Sequence, residues 1–158
     1  MMNLPITIRI PIEPRPQRRD RIATIKGHAR SYKAPEQAHY EAKVRAMLAG
    51  ETPEYPFDGP LKVVIQAEIP IPASWSKKKK GQAIQGAIYP TGRPDVDNLA
   101  KQIFDIFNGI IWRDDKQIVG LAVYKAYGDT PQWIIKVMRP QTIYFEPQTA
   151  YSELAAKE

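Results

Sequence analysis

Arg93-Pro94-Asp95-Val96-Asp97-Asn98-Leu99-Ala100-Lys101 and its echo Trp112-Arg113-Asp114-Asp115-Lys116-Gln117 bracket one apolar-faced segment. Between them Val96, Leu99, Ile103, Ile106, Phe107 and Ile110 recur at three- and four-residue spacing. That period predicts a helix over 94–109 with one face in a core. Asn108-Gly109 supplies its stop, glycine being able to take a left-handed backbone. Asp97 and Lys101 are four apart and share the face turned away from the apolar stripe. Asp95 precedes the first turn, where its carboxylate leans over the helix start. A helix and the strand after it commonly pack together, which allows Asp114-Asp115 to return beside that start.

Carboxylates gathered within about twenty residues repel one another unless a cation holds them. The pattern therefore reads as a Mg²⁺ site for phosphodiester chemistry. Each acid also has a plainer reading. Asp95 or Asp97 alone is a common helix cap. Asp97–Lys101 alone is a surface ion pair contributing roughly 0.3–0.5 kcal/mol. Asp114-Asp115 alone suits a turn, and Asp105 and Asp129 carry no further signal. It is the combination, D-x-D-N-x-x-K followed by W-x-D-D-x-Q, that is specific.

Outward from the centre, Leu61 to Ile71 alternates, with Val64 the exception, and predicts a strand ended by Pro70 and Pro72. Leu4 to Ile12 alternates too, with prolines on the opposite parity, as suits an edge strand. Ser74-Trp75-Ser76 opens a short helix through Lys77–Lys80, and Pro35 to Gly50 predicts another, with Ala38, Tyr40, Ala42, Val44, Met47 and Leu48 as an uneven apolar stripe and His39 on the surface. Ile118 to Tyr127 reads as a strand buried on both faces, and Gln132 to Met138 returns as its hairpin partner. Together these give an α+β fold: a mixed or antiparallel sheet of about four strands with two main helices packed on it. A single domain over 4–139 is expected, with 140–158 as an appendage.

The chain has 158 residues and 43 % apolar content, enough for one core. Cysteine is absent, which excludes disulfides, thiolate metal sites and Cys nucleophiles and fits a reducing cytosol. No apolar run reaches the roughly eighteen residues of a membrane span. The N-terminus lacks the basic start and apolar core of a signal peptide. A cytoplasmic protein with no membrane partner is expected.

The charge is unevenly placed. Residues 1–50 hold ten Lys/Arg and four Asp/Glu, the whole of the net +6. The run Glu13 to Arg21 reads as an extended or mobile loop whose arginines suit bidentate phosphate contacts. Lys26, His28, Arg30, Tyr32 and Lys33 continue it with aromatic interleaving, able to stack on an unpaired base. We assign DNA contacts to Arg15, Arg18, Arg19, Arg21, Lys26, Arg30, Arg93, Lys77 and Lys78. A solvated basic surface is the plainer alternative.

Pro94 to Lys101, Asp105 and Trp112 to Ile118 resemble the signature of the RusA family of Holliday junction resolvases. The resemblance is strongest over 93–119 and extends loosely across 4–138, leaving the tail from Pro140 outside. It implies a small, intertwined α+β homodimer, often prophage-encoded and serving recombination and repair. The implied activity is Mg²⁺-dependent paired nicking of four-way DNA junctions, with Mn²⁺ as a possible substitute. It places the essential acids on Asp95, Asp97 and Asp115, the essential lysine on Lys101, and a secondary acidic position on Asp114. Two other readings stand beside it: a Mg²⁺ nuclease for flaps or forks, and a non-catalytic basic DNA-binding module.

Overall fold

The computed structural model of the chain describes residues 3–18 and 20–141. Four strands form one sheet: β1 (Ile6–Ile10), β4 (Leu61–Pro70), β5 (Ile118–Gly128) and β6 (Gln132–Met138). Their order is β1-β6-β4-β5. β4 and β5 run parallel; the β1–β6 and β4–β6 pairs are antiparallel. The sheet is thus mixed and the fold α+β, as the sequence indicates.

Alternation decides which face is covered. Leu61, Val63, Ile65 and Ala67 of β4 are buried, and so are Ile8 and Ile10 of β1 and Trp133, Ile135 and Val137 of β6. The register sets Ile65 and Ile8 both against Ile135, so these side chains share one face. The helix α3 (Val96–Phe107) covers that face with Leu99, Ile103, Ile106 and Phe107, all fully buried. Val96, expected on the same stripe, stands at the first helical position and is exposed.

The parallel β4–β5 pair requires a long crossover, and the crossover carries α2 (Lys77–Ile84) and α3. This connection sets where the acids go. α3 starts at the C-terminal end of β5 and runs back towards its N-terminal end. Lys125, far along β5, donates from Nζ to the carbonyls of Gly92 and Pro94 at 2.7 and 2.9 Å, pinning the helix start there.

The helix α1 (Pro35–Met47) is shorter than expected and buries a different face. Gln37, Tyr40, Glu41, Val44 and then Leu48 face inwards, while Ala38, Ala42 and Met47 are exposed. The uneven apolar stripe has a cause: two inward positions are polar. Lys33 donates to both Glu41 carboxylate oxygens at 2.9 and 2.8 Å, and Gln37 donates to Glu41 and to Gln102 of α3. Burial pushes the Glu41 carboxyl up, but the hydrogen bonds from Lys33 and Gln37 and the charges of Lys33 and Arg45 hold it below its ordinary value. A carboxyl lowered on folding stabilises the protein above its unfolded value near 4.5. That stability is lost as pH falls through the lower folded value. We expect Glu41→Ala to cost about 1–3 kcal/mol at pH 7, below the range for fully buried pairs because Lys33 is partly exposed. The cost should shrink as pH falls below that value, which urea unfolding at pH 7 and pH 3 checks.

Three expectations need correction. β6 is not the hairpin partner of β5: it pairs with β1 and β4, and β4 lies between it and β5. β5 is not buried on both faces: none of its residues is buried, and Val119, Leu121 and Tyr124 are 64 %, 44 % and 58 % exposed. It is the sheet's edge strand, with β4 on one side only among the described residues. The basic run after Arg19 is not a loop either. β2 (Arg21–Ile25) and β3 (His28–Tyr32) form a separate antiparallel hairpin. Its two-residue turn, Lys26-Gly27, has φ of 51° and 79°, the left-handed geometry of tight hairpins. With β3 exposed throughout, the ribbon has no apolar period to announce it.

Candidate active site

Asp95 stands at the N-cap position of α3, in extended backbone, yet its side chain makes no capping hydrogen bond. The commonest structural use of an Asp at this position is therefore not in force. Asp97, in the first turn, lies 3.5 Å from Lys101 Nζ, and both side chains are more than half exposed. The arginine-rich segment closes the site from above. The Gln17 amide donates to the Asn98 carbonyl at 3.0 Å, and the Gln17 side chain donates to Asp105. Buried Tyr40 fixes the same segment: its hydroxyl donates to the Glu13 carbonyl at 2.9 Å and accepts from Trp133 Nε1 at 2.9 Å. Glu13 and Gln17 are thus both held by hydrogen bonds to the folded core.

These contacts bring Gln17, Arg18, Asp20, Asp95, Asp97, Asn98 and Lys101 around one pocket. A groove beside it is lined by Arg15, Arg18, Arg93, Asp95 and Tyr40. Of the residues assigned to DNA contact, Arg15, Arg18 and Arg93 thus adjoin the acids. Arg21, Lys26 and Arg30 lie on the hairpin. Lys77 and Lys78 open α2, whose start meets β5 through the Trp75–Tyr127 ring contact, two residues beyond Lys125. Arg19 and the tail from 142 lie outside the described residues.

Asp20 and Lys125 are site residues that the sequence reading passed over. Asp20, the one acid in an arginine run, was a readable signal. Lys125 was another: it is a cation on the inward parity of an apolar strand, between Val123 and Tyr127.

The second acidic segment does not return to the helix start. From Ile118 to Lys125 β5 rises about 23 Å, at about 3.3 Å per residue. Asp115 precedes that rise, whereas Asp95 sits at its far end, beside Lys125. Asp115 lies nearer Asp105, whose carboxyl is pushed up by burial and by the charges of Glu41, Asp115 and Asp20, against Lys33. Asp114 acts as a cap. It accepts from the Lys116 amide at 2.9 Å, and Gln117 reaches back to the Asp114 amide at 3.0 Å. That hydrogen bond, with the Lys116 charge, holds the Asp114 carboxyl below its usual value.

Much of the second motif is structural. Trp112 is fully buried against Phe104 and Phe107 and donates from Nε1 to Asn108 at 2.6 Å. Gln117 donates to the carbonyls of Phe57 and Gly59 at 3.0 and 2.9 Å. The pair clamps the turn that presents Asp115.

The oxygen donors of Asp95, Asp97 and Asn98 suit a hard cation such as Mg²⁺. Among the described residues of one chain, however, no three acidic or histidine side chains converge closely enough to hold an ion. The donor chemistry fits a hard cation, but no acidic cluster forms around it among the described residues of one chain. No helix of the described residues is long and apolar enough to cross a membrane.

A protein of Bacillus subtilis (strain 168), "Uncharacterized protein YqaN", is 38 % identical over 101 residues, covering 62 % of this chain and 71 % of its own. Residues 11–138 match the family described as Endodeoxyribonuclease RusA, a span holding both acidic segments, the arginine segment and the hairpin. The chain belongs to the RusA family of endodeoxyribonucleases.

Proposed function

We propose that this protein is a divalent-metal-dependent endonuclease that resolves four-way DNA junctions by paired nicks, acting as a homodimer. The observation that carries the reading is the Asp95–Asp97 pocket. It holds the Asp95 carboxylate free of helix capping, Lys101 four residues on from Asp97, and Arg18 on its rim. A pure phosphate binder gains nothing from carboxylates placed where DNA must lie.

Asp95 and Asp97 would hold Mg²⁺ or Mn²⁺, and Asp115, at the other end of β5 in the same chain, would reach that ion as the third acid only from a second copy of the chain. When bound, the ion activates water and stabilises the leaving oxygen. Lys101 neutralises charge gathering on the phosphate, its ammonium placed by α3 rather than by a loop. Arg15, Arg18 and Arg93 grip the backbone beside the scissile bond, and Lys125 keeps the Pro94 carbonyl, and so Asp95, in place. Arg21, Lys26 and Arg30 extend the basic surface along the hairpin, and Lys77 and Lys78 extend it along α2. Their phosphate contacts make binding strongly salt-dependent.

Junction preference is tested by comparing a labelled four-way junction, a flap, a fork and a linear duplex in Mg²⁺. We expect the four-way junction to be cut at least about tenfold faster than the others, in opposed strands. Equal or faster cutting of flaps or forks would assign the enzyme to other branched DNA.

A further inference from the structure

The β2–β3 hairpin has two unlike faces, and one of them leads into the acidic pocket. Its register sets Ile22 opposite Ser31 and Thr24 opposite Ala29; it sets Arg21 opposite Tyr32 and Ala23 opposite Arg30. Paired residues share a face, and neighbours along a strand point opposite ways. Ile22, Thr24, Ala29 and Ser31 therefore form one face, with no charge among them. Arg21, Arg30 and Tyr32 stand on the other, where Arg21 lies 3.8 Å from Glu36 of α1. Ser31 Oγ donates to the Asp20 carboxylate at 3.2 Å, which brings Asp20 to the uncharged side. Asp20 in turn lines the pocket with Asp95, Asp97 and Lys101. The uncharged face thus continues the pocket wall.

On that face Ile22 is 76 % exposed, more than any other large apolar side chain among the described residues. It stands two strand residues from Asp20, about 7 Å at about 3.3 Å per residue. Two nucleotide steps of a stacked strand span about the same length. An aliphatic side chain gains nothing from phosphates, but it suits the face of an unstacked base, as apolar wedges at kinked base steps show. The face behind it carries the arginines that suit the phosphates of the same strand.

We propose that Ile22 reads the branch point: it packs against an unstacked base within about two nucleotides of the phosphate held at the Asp95–Asp97 pocket. This rests on the nuclease reading above and names a residue that sets its preference for branched DNA. Bases at a branch are the cheapest to unstack, whereas a continuous duplex must be opened first.

Two measurements test this on the full chain. The first uses a four-way junction with 2-aminopurine at the branch point, bound in Ca²⁺ without cleavage. Its fluorescence should rise with wild type and with Ile22→Phe, which keeps an apolar wedge, and stay low with Ile22→Ala. An equal rise with Ile22→Ala overturns the proposal. The second is single-turnover nicking in Mg²⁺. Ile22→Ala should nick an intact junction at least about tenfold more slowly than wild type, the scale of one unstacked step. On a junction carrying an abasic nucleotide at the branch, where no base needs holding, the variant should come within about threefold of wild type. A defect of equal size on both junctions, or no defect on either, also overturns it. A wild type that cuts no branched DNA would overturn the nuclease reading instead, and the fluorescence would still decide the role of Ile22.

Discussion

Asp97→Asn should lower junction nicking by at least about 10²–10³-fold while leaving junction affinity within a few-fold of wild type. Loss of one group that stabilises transition-state charge is worth about that much, and here the lost charge is also a proposed cation ligand. Folding should barely change. The Asp97–Lys101 pair is exposed on both sides and contributes only roughly 0.3–0.5 kcal/mol. Affinity should hold because the proposed phosphate contacts come from Arg15, Arg18, Arg93 and the hairpin, not from Asp97. Asp95→Asn should behave alike, since its carboxylate makes no helix cap that the substitution would break. Single-turnover nicking, with electrophoretic mobility shift of the same junction, measures both quantities. A variant that loses nicking and binding together, with a lower melting temperature, would show that the acid supports the fold rather than the chemistry.

Trp112→Ala should cost about 3–5 kcal/mol of folding stability, the range for emptying a buried aromatic site. The indole is wholly buried between Phe104 and Phe107, and its N–H is satisfied by Asn108. Domains of this size are stable by only about 5–15 kcal/mol, so the variant should unfold at much lower urea. Trp112→Phe keeps a ring in the cavity and loses the hydrogen bond, and should cost less. Urea unfolding midpoints rank the three proteins. Equal midpoints for wild type and Trp112→Ala would deny the residue its place in the core. Because Trp112 also anchors the turn before Asp115, even the folded fraction of the variant should nick slowly.

Where side-chain period and burial agreed, the sequence was enough. β4 alternates from Leu61 to Ala67 with Val64 the one exception, and α3 repeats its apolar residues through Phe107; both elements fall where their patterns place them. The reading failed where polar residues face inwards or apolar ones outwards. Gln37 and Glu41 are inward on α1 because Lys33 and Gln102 satisfy them, and no single-chain period reveals such a pairing. Val119 and Leu121 gave β5 the appearance of a doubly buried strand, whereas they are the exposed edge. The hairpin's signal was confined to the Lys26-Gly27 turn. At the site, Asp95, Asp97 and Lys101 were legible because one helix spaces them. The position of Asp115 was not, because it depends on which way α3 runs relative to β5.

The most direct measurement is wild-type cleavage of a labelled four-way junction in Mg²⁺ and in EDTA, with a linear duplex alongside. Acid-held metal chemistry on branched DNA predicts paired nicks in opposed strands with Mg²⁺, an intact junction in EDTA and an uncut duplex in both. Nicking that persists in EDTA, or a junction left whole in Mg²⁺, would contradict it.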